Sequence, residues 1–242
     1  MTHQEVGEWR LPSPACFAVV GPSRAGKSTL ISNIVCDVTV WQDRPNHVIY
    51  SGPVVTRTSP YITELERECY KQGMRFNFMD SFPSLQEVQM CAGVKVPVIL
   101  ILDDVQVWEK HHRPGIKATK LLTAQSHHDG ITVFFVLHNA YHPSFRDINN
   151  NVAGRFLMYQ NSDWNKYYTM SLRLYGKGFS DFLKYCLQEA KNKYNTRYIY
   201  VNTDTQQKFS SRHNCYTCIL KEEREPFGNN PIAFDLENYD KN

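Results

Sequence analysis

The feature that most constrains this chain of 242 residues is an octapeptide near its N-terminus, Gly-Pro-Ser-Arg-Ala-Gly-Lys-Ser at positions 21–28. It fits the pattern G-x-x-x-x-G-K-[ST], in which a loop directs successive backbone N–H groups at a phosphate. The apolar run from Cys16 to Val20 before it is typical of a buried strand, and residues 27–38 carry apolar side chains at helical spacing. A chance match is the alternative, but the strand before the loop and the helix after it predict nucleotide binding.

Each residue type in this loop has a physical reason. Gly21 and Gly26 permit backbone angles that side chains forbid. Lys27 is predicted to reach the β- and γ-phosphates of ATP and to neutralise charge that develops there, and the Ser28 hydroxyl is predicted to ligate Mg²⁺. The helix that begins at Lys27 adds its positive end to the site. The predicted nucleotide-binding residues are Gly21, Pro22, Ser23, Arg24, Ala25, Gly26, Lys27, Ser28 and Thr29.

An acidic pair forms the second half of such a site. The apolar run Val96 to Leu102 reads as a strand buried on both faces, and it ends in Asp103 and Asp104. Ligands of open α/β sheets bind at this carboxyl edge. We predict that Asp103 holds the Mg²⁺ shell and that Asp104 is the general base for the attacking water. Helix capping is the alternative role for an aspartate here, but the phosphate loop favours catalysis.

The next predicted strand, Ile131 to Leu137, ends in His138 and Asn139. In P-loop ATPases that activate water, a polar residue at the end of this strand lies between the γ-phosphate and the general base and senses the nucleotide. Either residue can fill that role. Ordinary strand-end polarity is the alternative.

Strand and helix patterns alternate along the chain, which predicts an α/β fold with a mostly parallel sheet flanked by helices. Further strands are predicted over residues 47–51, 74–79, 155–159 and 197–201, and further helices over 60–72, 84–90 and 179–194. We divide the chain into an N-terminal arm (1–14), a P-loop ATPase domain (15–220) and a C-terminal tail (221–242). Because the tail is acidic and contains Asn and Pro, we expect it to be loosely attached.

Composition excludes several classes of protein. Hydrophobic residues make up 42% of the chain and charged residues 21%, so the chain is not disordered throughout. The longest apolar runs, Val98–Leu102 and Val133–Leu137, are far shorter than the ~20 residues that cross a bilayer. The N-terminus has no apolar signal-peptide core, and the cysteine count of seven is odd, which indicates a reducing compartment. We expect a soluble, intracellular protein with no membrane partner.

The charge is distributed unevenly. Residues 221–242 carry a net charge of −3, which leaves +6 on residues 1–220. Directly after the acidic pair, the segment Val107 to Lys120 contains four basic residues that could grip a phosphate backbone: Lys110, Arg113, Lys117 and Lys120. Such an excess permits an anionic partner, and an ordinary solvated surface is the alternative.

Several stretches together resemble the DNA-packaging ATPases of the FtsK/HerA superfamily, in the branch of poxviruses, other large DNA viruses and Maverick/Polinton elements. The similarity runs from Leu11 to about Asn214. Its most specific stretch is S-H-H-D-G-I-T-V-F-F-V-L-H-N-A-Y-H, which begins at Ser126. The others are the phosphate loop, L-I-L-D-D, R-D-I-N-N-N, F-L-M-Y-Q-N and Y-I-Y-V-N-T-D.

This resemblance implies a RecA-like (ASCE) P-loop NTPase that works as a homo-oligomeric ring of about five or six subunits and moves double-stranded DNA into a capsid. A capsid portal or vertex protein is a further candidate partner. The host nucleus, a cytoplasmic virus factory and the virion are the candidate locations. Arg146 falls on a family arginine and is predicted to contact nucleotide across a subunit interface, with Arg155 and Arg113 as competitors and a surface salt bridge as the alternative.

His127 and His128 also fall on family positions, without a role that their chemistry defines. The chain departs from the family at two places. The family usually has Gln-Asn where this chain has His138-Asn139, and an Arg-Asp pair is common near Asp163, where Trp164 follows here. Both departures concern nucleotide sensing and contacts between subunits.

We therefore predict a Mg-ATP-driven double-stranded DNA translocase, a genome-packaging motor ATPase of viral type. A small P-loop nucleotide kinase is the alternative among enzymes, although the sequence has no arginine-rich lid segment and its doubled aspartate favours activation of water. A nucleotide-gated scaffold protein with little turnover is the alternative outside enzymes.

Overall fold

The computed structural model describes residues 9–104, 126–139, 151–160, 164–175, 178–203, 215–234 and 239. The strands within them are β1 (Cys16–Val20), β2 (His47–Ser51), β3 (Arg75–Met79), β4 (Val98–Leu102), β5 (Ile131–Leu137), β6 (Gly154–Met158), β7 (Tyr198–Asn202), β8 (Cys215–Thr217) and β9 (Ile232–Phe234). The helices are α1 (Lys27–Cys36), α2 (Pro60–Lys71), α3 (Leu85–Ala92), α4 (Ser126–Asp129), α5 (Trp164–Tyr175), α6 (Phe179–Tyr194) and α7 (Lys221–Arg224). Short 3-10 turns cover Val38–Val40 and Val54–Thr56.

The described strands form one sheet in the order β3-β2-β4-β5-β1-β6-β7-β8-β9. Pairing is parallel from β3 to β6 and antiparallel from β6 to β9. The predicted α/β fold with a mostly parallel sheet is confirmed. Because β5 lies between β1 and β4, the carboxyl ends of these three strands meet at one edge of the sheet.

The central strands are buried along their whole length, which explains why their sequences are apolar apart from Thr132 in β5. On one face of the sheet, α1 and α2 cover an aromatic core around Phe17, Phe134 and Trp41. On the other face, α3, α5 and α6 pack on β1, β4 and β5. The strands and helices predicted from the sequence are present among the described residues, with ends shifted by one or two residues.

The expectation of a loosely attached tail differs from the structure over residues 221–234. Strand β9 pairs with β8, and Phe234 is buried. The buried Arg224 donates to the Thr39 hydroxyl, and the Lys221 N–H donates to Asp37 Oδ2 at 2.7 Å. The tail attaches because its polar groups have specific partners, which its average composition does not show.

The N-terminal arm likewise packs on the domain from Trp9 onward. Leu11 is fully buried and its N–H donates to the Val40 carbonyl, while the Trp9 ring contacts Tyr200 edge-on at 5.4 Å. No helix in the described part of the chain is long and apolar enough to cross a membrane.

Candidate nucleotide-binding and hydrolysis site

The phosphate loop leaves β1 at Gly21, whose N–H donates to the Leu137 carbonyl on β5. A Cβ atom at Gly21 would lie 2.6 Å from the Met158 Cβ, so only glycine fits between β1 and β6. Gly26 precedes α1 with φ 93°, in the left-handed region that favours glycine. Within the described residues no side chain caps α1, and its first turn holds no acidic residue. Its N–H groups are therefore available to an anion.

Lys27 is folded back into this loop. Its side chain is buried, and its Nζ donates to the carbonyls of Gly21 at 2.8 Å and Pro22 at 2.9 Å. The same Nζ lies 3.3 Å from His138 Nδ1. Burial lowers the pKa of Lys27, while Asp103 and Asp104 act in the opposite direction. The ammonium is thus held by neutral acceptors that a phosphate oxygen can replace.

His138 bridges the phosphate loop and the acidic pair. Its Nε2 lies 2.5 Å from Asp104 Oδ1, and its Nδ1 faces both Lys27 Nζ and the Ser23 hydroxyl, the latter at 3.4 Å. Because an ammonium only donates, Nδ1 accepts and the proton sits on Nε2, from where it is donated to Asp104. The network therefore assigns His138 the neutral Nε2–H tautomer.

The hydrogen bond from His138 lowers the pKa of Asp104, and the charge of Lys27 acts in the same direction, while partial burial opposes both. Asp104 has φ 49°, a left-handed conformation that Asp tolerates better than most residues. The two successive aspartates contact different partners. Asp104 contacts His138, whereas Asp103 is turned toward β2 and α2.

Asp103 is buried and its carboxylate is hydrogen-bonded at both oxygens. Oδ2 accepts from the hydroxyls of Tyr50 on β2 and Tyr61 on α2, the second at 3.0 Å. Oδ1 accepts from the Asp104 N–H at 3.0 Å. The two predicted Mg²⁺ ligands are Ser28 and Asp103, whose hydroxyl and carboxylate oxygens are ligand atoms that suit this cation.

The structure brings together most of the residues predicted for the site. The phosphate loop, Asp103, Asp104 and His138 meet at the carboxyl edge of β1, β4 and β5, and Asn139 follows His138 as a partly buried residue. Other candidates lie outside the described residues: Arg146, Lys110, Arg113, Lys117 and Lys120.

Two further candidates are placed away from the site. Arg155 lies within β6 between Ala18 and Val201 and is only 2% exposed. A side chain so buried does not reach a neighbouring subunit, so Arg155 is removed as a competitor for the contact across an interface. His128 is exposed on α4.

The sequence pattern does not single out Tyr50 and Tyr61 as site residues. Tyr50 occupies an apolar strand and looks like a core residue, and Tyr61 is the second residue of a helix. Their shared approach to Asp103 follows from the pairing of β2 with β4, which places Tyr50 opposite Ile101. That pairing is not visible in the local pattern.

Among solved structures, B204, the DNA-packaging ATPase from Sulfolobus turreted icosahedral virus, matches with a TM-score of 0.50 at 14% identity, over 78% of this chain and 91% of B204. The chain shares the fold of B204. The genome packaging NTPase B204 from Sulfolobus turreted icosahedral virus 2, in complex with ATP-gammaS, matches with a TM-score of 0.49 at 13% identity, over 78% and 91% of the two chains.

The cytoplasmic domain of the type VII secretion ATPase EccC from Thermomonospora curvata matches with a TM-score of 0.41 at 14% identity, over 62% of this chain and 20% of that one. The match to B204 agrees with the fold that the sequence resemblance implies. The viral branch of that resemblance remains a prediction. No protein-family model and no curated protein matches the sequence.

Proposed function

We propose that this protein is a Mg²⁺-dependent ATP hydrolase that drives double-stranded DNA into a viral capsid. The observation that carries the proposal is the bridge from Lys27 through His138 to Asp104. It connects the residue that would bind the phosphates with the residue that would activate water. A nucleotide-binding loop that served binding alone would not require this connection.

Binding of ATP begins with Lys27. Its three ammonium hydrogens are engaged by two loop carbonyls and His138, and the terminal phosphates replace these neutral acceptors with charged ones. Ser28 and Asp103 would hold Mg²⁺, which when bound neutralises charge on the phosphates. Once Lys27 turns to the phosphates, His138 Nδ1 loses its cationic donor and is available to a new one.

Asp104 then accepts the proton of the attacking water. While His138 donates to it, the pKa of Asp104 is lowered and the carboxylate is a weak base. Movement of His138 with the nucleotide removes that hydrogen bond and makes Asp104 more basic. His138 thus serves as the sensor that couples occupancy of the phosphate loop to activation of water, with Asn139 as its neighbour in the same role.

The coupling to DNA is supported by the fold shared with B204 and by the sequence resemblance. The excess of positive charge on residues 1–220 favours a polyanion, and the basic residues at 107–120 follow Asp104 directly in sequence. We propose a homo-oligomeric ring of about five or six subunits in which Arg146 reaches the neighbouring nucleotide. A capsid portal or vertex protein would receive the DNA, in the host nucleus, a virus factory or the virion.

The test is phosphate release at saturating Mg-ATP, with and without double-stranded DNA, alongside the oligomer mass. We expect ATP hydrolysis that DNA stimulates and a mass of several subunits. Phosphate transfer to a nucleoside acceptor would identify a kinase instead. Nucleotide binding with neither phosphate release nor transfer would identify a scaffold protein.

A further inference from the structure

Two tyrosine hydroxyls converge on one oxygen of Asp103. Tyr50 and Tyr61 both donate to Oδ2, and their own hydroxyl oxygens lie 2.7 Å apart. Tyr50 comes from the strand beside β4, and Tyr61 comes from the first turn of α2. Two elements that are distant in sequence therefore each direct a hydroxyl group at Asp103, the carboxylate predicted to hold Mg²⁺.

The number of hydrogens in this cluster determines which group donates each hydrogen bond. An ionised carboxylate has none, so the three oxygens of Tyr50, Tyr61 and Asp103 share two hydrogens. Tyr50 makes the closest contact with Asp103 and donates there. The Tyr61 oxygen lies 3.0 Å from Asp103 Oδ2 and 2.7 Å from the Tyr50 oxygen, so its hydrogen supports the carboxylate directly and through Tyr50.

Packing alone does not account for these hydroxyls. The Tyr50 ring stacks on Phe78 with 6.0 Å between ring centres, a contact that phenylalanine would keep. Burial and the charge of Asp103 raise the pKa of Tyr61 to about 12 and that of Tyr50 further, so both phenols remain donors at neutral pH. A buried carboxylate without hydrogen-bond donors is unfavourable, and the two hydroxyls supply the donors to Asp103 Oδ2.

We infer that Tyr50 and Tyr61 are positioning residues that hold the carboxylate of Asp103, a predicted Mg²⁺ ligand, in a preset orientation. The two phenols together fix the plane of the Asp103 carboxylate. This inference rests on the proposed function, because it concerns the metal that accompanies the bound nucleotide.

The experiment measures binding of Mn²⁺, as a paramagnetic substitute for Mg²⁺, to the ADP-bound protein by electron paramagnetic resonance. ADP binding without metal is measured in EDTA. Tyr61→Phe and Tyr50→Phe keep the rings and remove the hydroxyls. Tyr198→Phe is the matched control, since Tyr198 is a buried tyrosine that donates to a carboxylate, Glu223, away from the site.

We expect Tyr61→Phe to weaken Mn²⁺ binding by about tenfold while ADP binding in EDTA stays unchanged. Tyr198→Phe should leave both unchanged. Tyr61 is only partly buried, so its variant tests the inference even if Tyr50→Phe does not fold. A folded Tyr61→Phe protein whose Mn²⁺ affinity lies within about twofold of wild type overturns the inference.

Failure of the proposed function has a different signature. If wild type binds Mn²⁺ and ADP and the variants lose Mn²⁺ affinity, but ATP is not hydrolysed, the hydrolase proposal fails and the inference stands. Normal hydrolysis with equal Mn²⁺ affinities refutes only the inference. Absence of nucleotide binding by wild type overturns both.

Discussion

Replacing Asp104 with asparagine separates nucleotide binding from hydrolysis more cleanly than other substitutions in the site. Asparagine has the same size and offers Oδ1 to the His138 Nε2–H, so the 2.5 Å contact of Asp104 can persist. What disappears is the negative charge and the ability to take a proton. The bridge between the phosphate loop and β4 is kept while the base is lost.

The expected magnitude follows from that difference. A positioned general base contributes about 10²–10⁴ in rate, which corresponds to about 2.7–5.4 kcal/mol of transition-state stabilisation. We expect kcat to fall by that factor. The affinity for ATP should remain within about fivefold of wild type or become tighter, because a negative charge near the phosphates is removed.

The assay is steady-state phosphate release together with ATP binding under conditions without turnover. Asp181→Asn, at an exposed position on α6, is the control for loss of a carboxylate elsewhere. A kcat within about tenfold of wild type would show that Asp104 is not the base. Loss of ATP affinity parallel to the loss of kcat would show instead that Asp104 acts by holding the phosphate loop.

The remaining predictions concern other parts of the molecule. Lys27→Ala should weaken ATP binding by more than about tenfold in a calorimetric titration, because it removes the cation that contacts ground-state phosphates; unchanged affinity would contradict the role of Lys27. Tyr167 is buried and its hydroxyl contacts the carbonyls of Val20 and Met158 at 2.9 and 2.8 Å, so Tyr167→Phe should destabilise the protein by about 1–2 kcal/mol in a urea titration. Burial raises the pKa of Glu223, so the folded protein binds this proton more tightly than the unfolded chain does, and its stability falls as the pH rises. Glu223→Gln should therefore raise the Tm at a pH of about 7.5, and the gain in Tm should vanish toward about pH 4. Four basic residues of segment 107–120 can be replaced by glutamine together: Lys110, Arg113, Lys117 and Lys120. The replacement should make the affinity for DNA depend less steeply on salt concentration, and an unchanged dependence would place the DNA contact elsewhere.

The site residues at the ends of β1, β4 and β5 could be predicted because these strands are recognisable in the sequence as apolar runs. β1 and β4 are unbroken apolar runs that end directly before Gly21 and Asp103, and β5 is apolar except for Thr132 and ends directly before His138. In a parallel sheet those ends lie at one edge, so the order of residues alone places the phosphate loop, Asp103 and His138 together. The contact of His138 with both Lys27 and Asp104 adds the detail that spacing cannot supply.

The parts that escaped prediction depend on contacts between remote segments. Tyr50 reads as one more apolar residue of β2 until β2 is known to pair with β4. The strands β8 and β9 are three residues each, too short to show a period. The acidic composition of the tail conceals that Glu223 accepts the Tyr198 hydroxyl and that Arg224 is buried.

The attachment of the C-terminal segment has a mechanical consequence for α1. This helix of 10 residues is about 15 Å long. One end is the phosphate loop, and just beyond the other end Asp37 and Thr39 are tied to Lys221 and Arg224. The helix therefore connects the phosphate loop directly to the C-terminal segment. We expect a shift of the phosphate loop on nucleotide binding to move α1 as a unit, and with it the residues from Lys221 to Arg224.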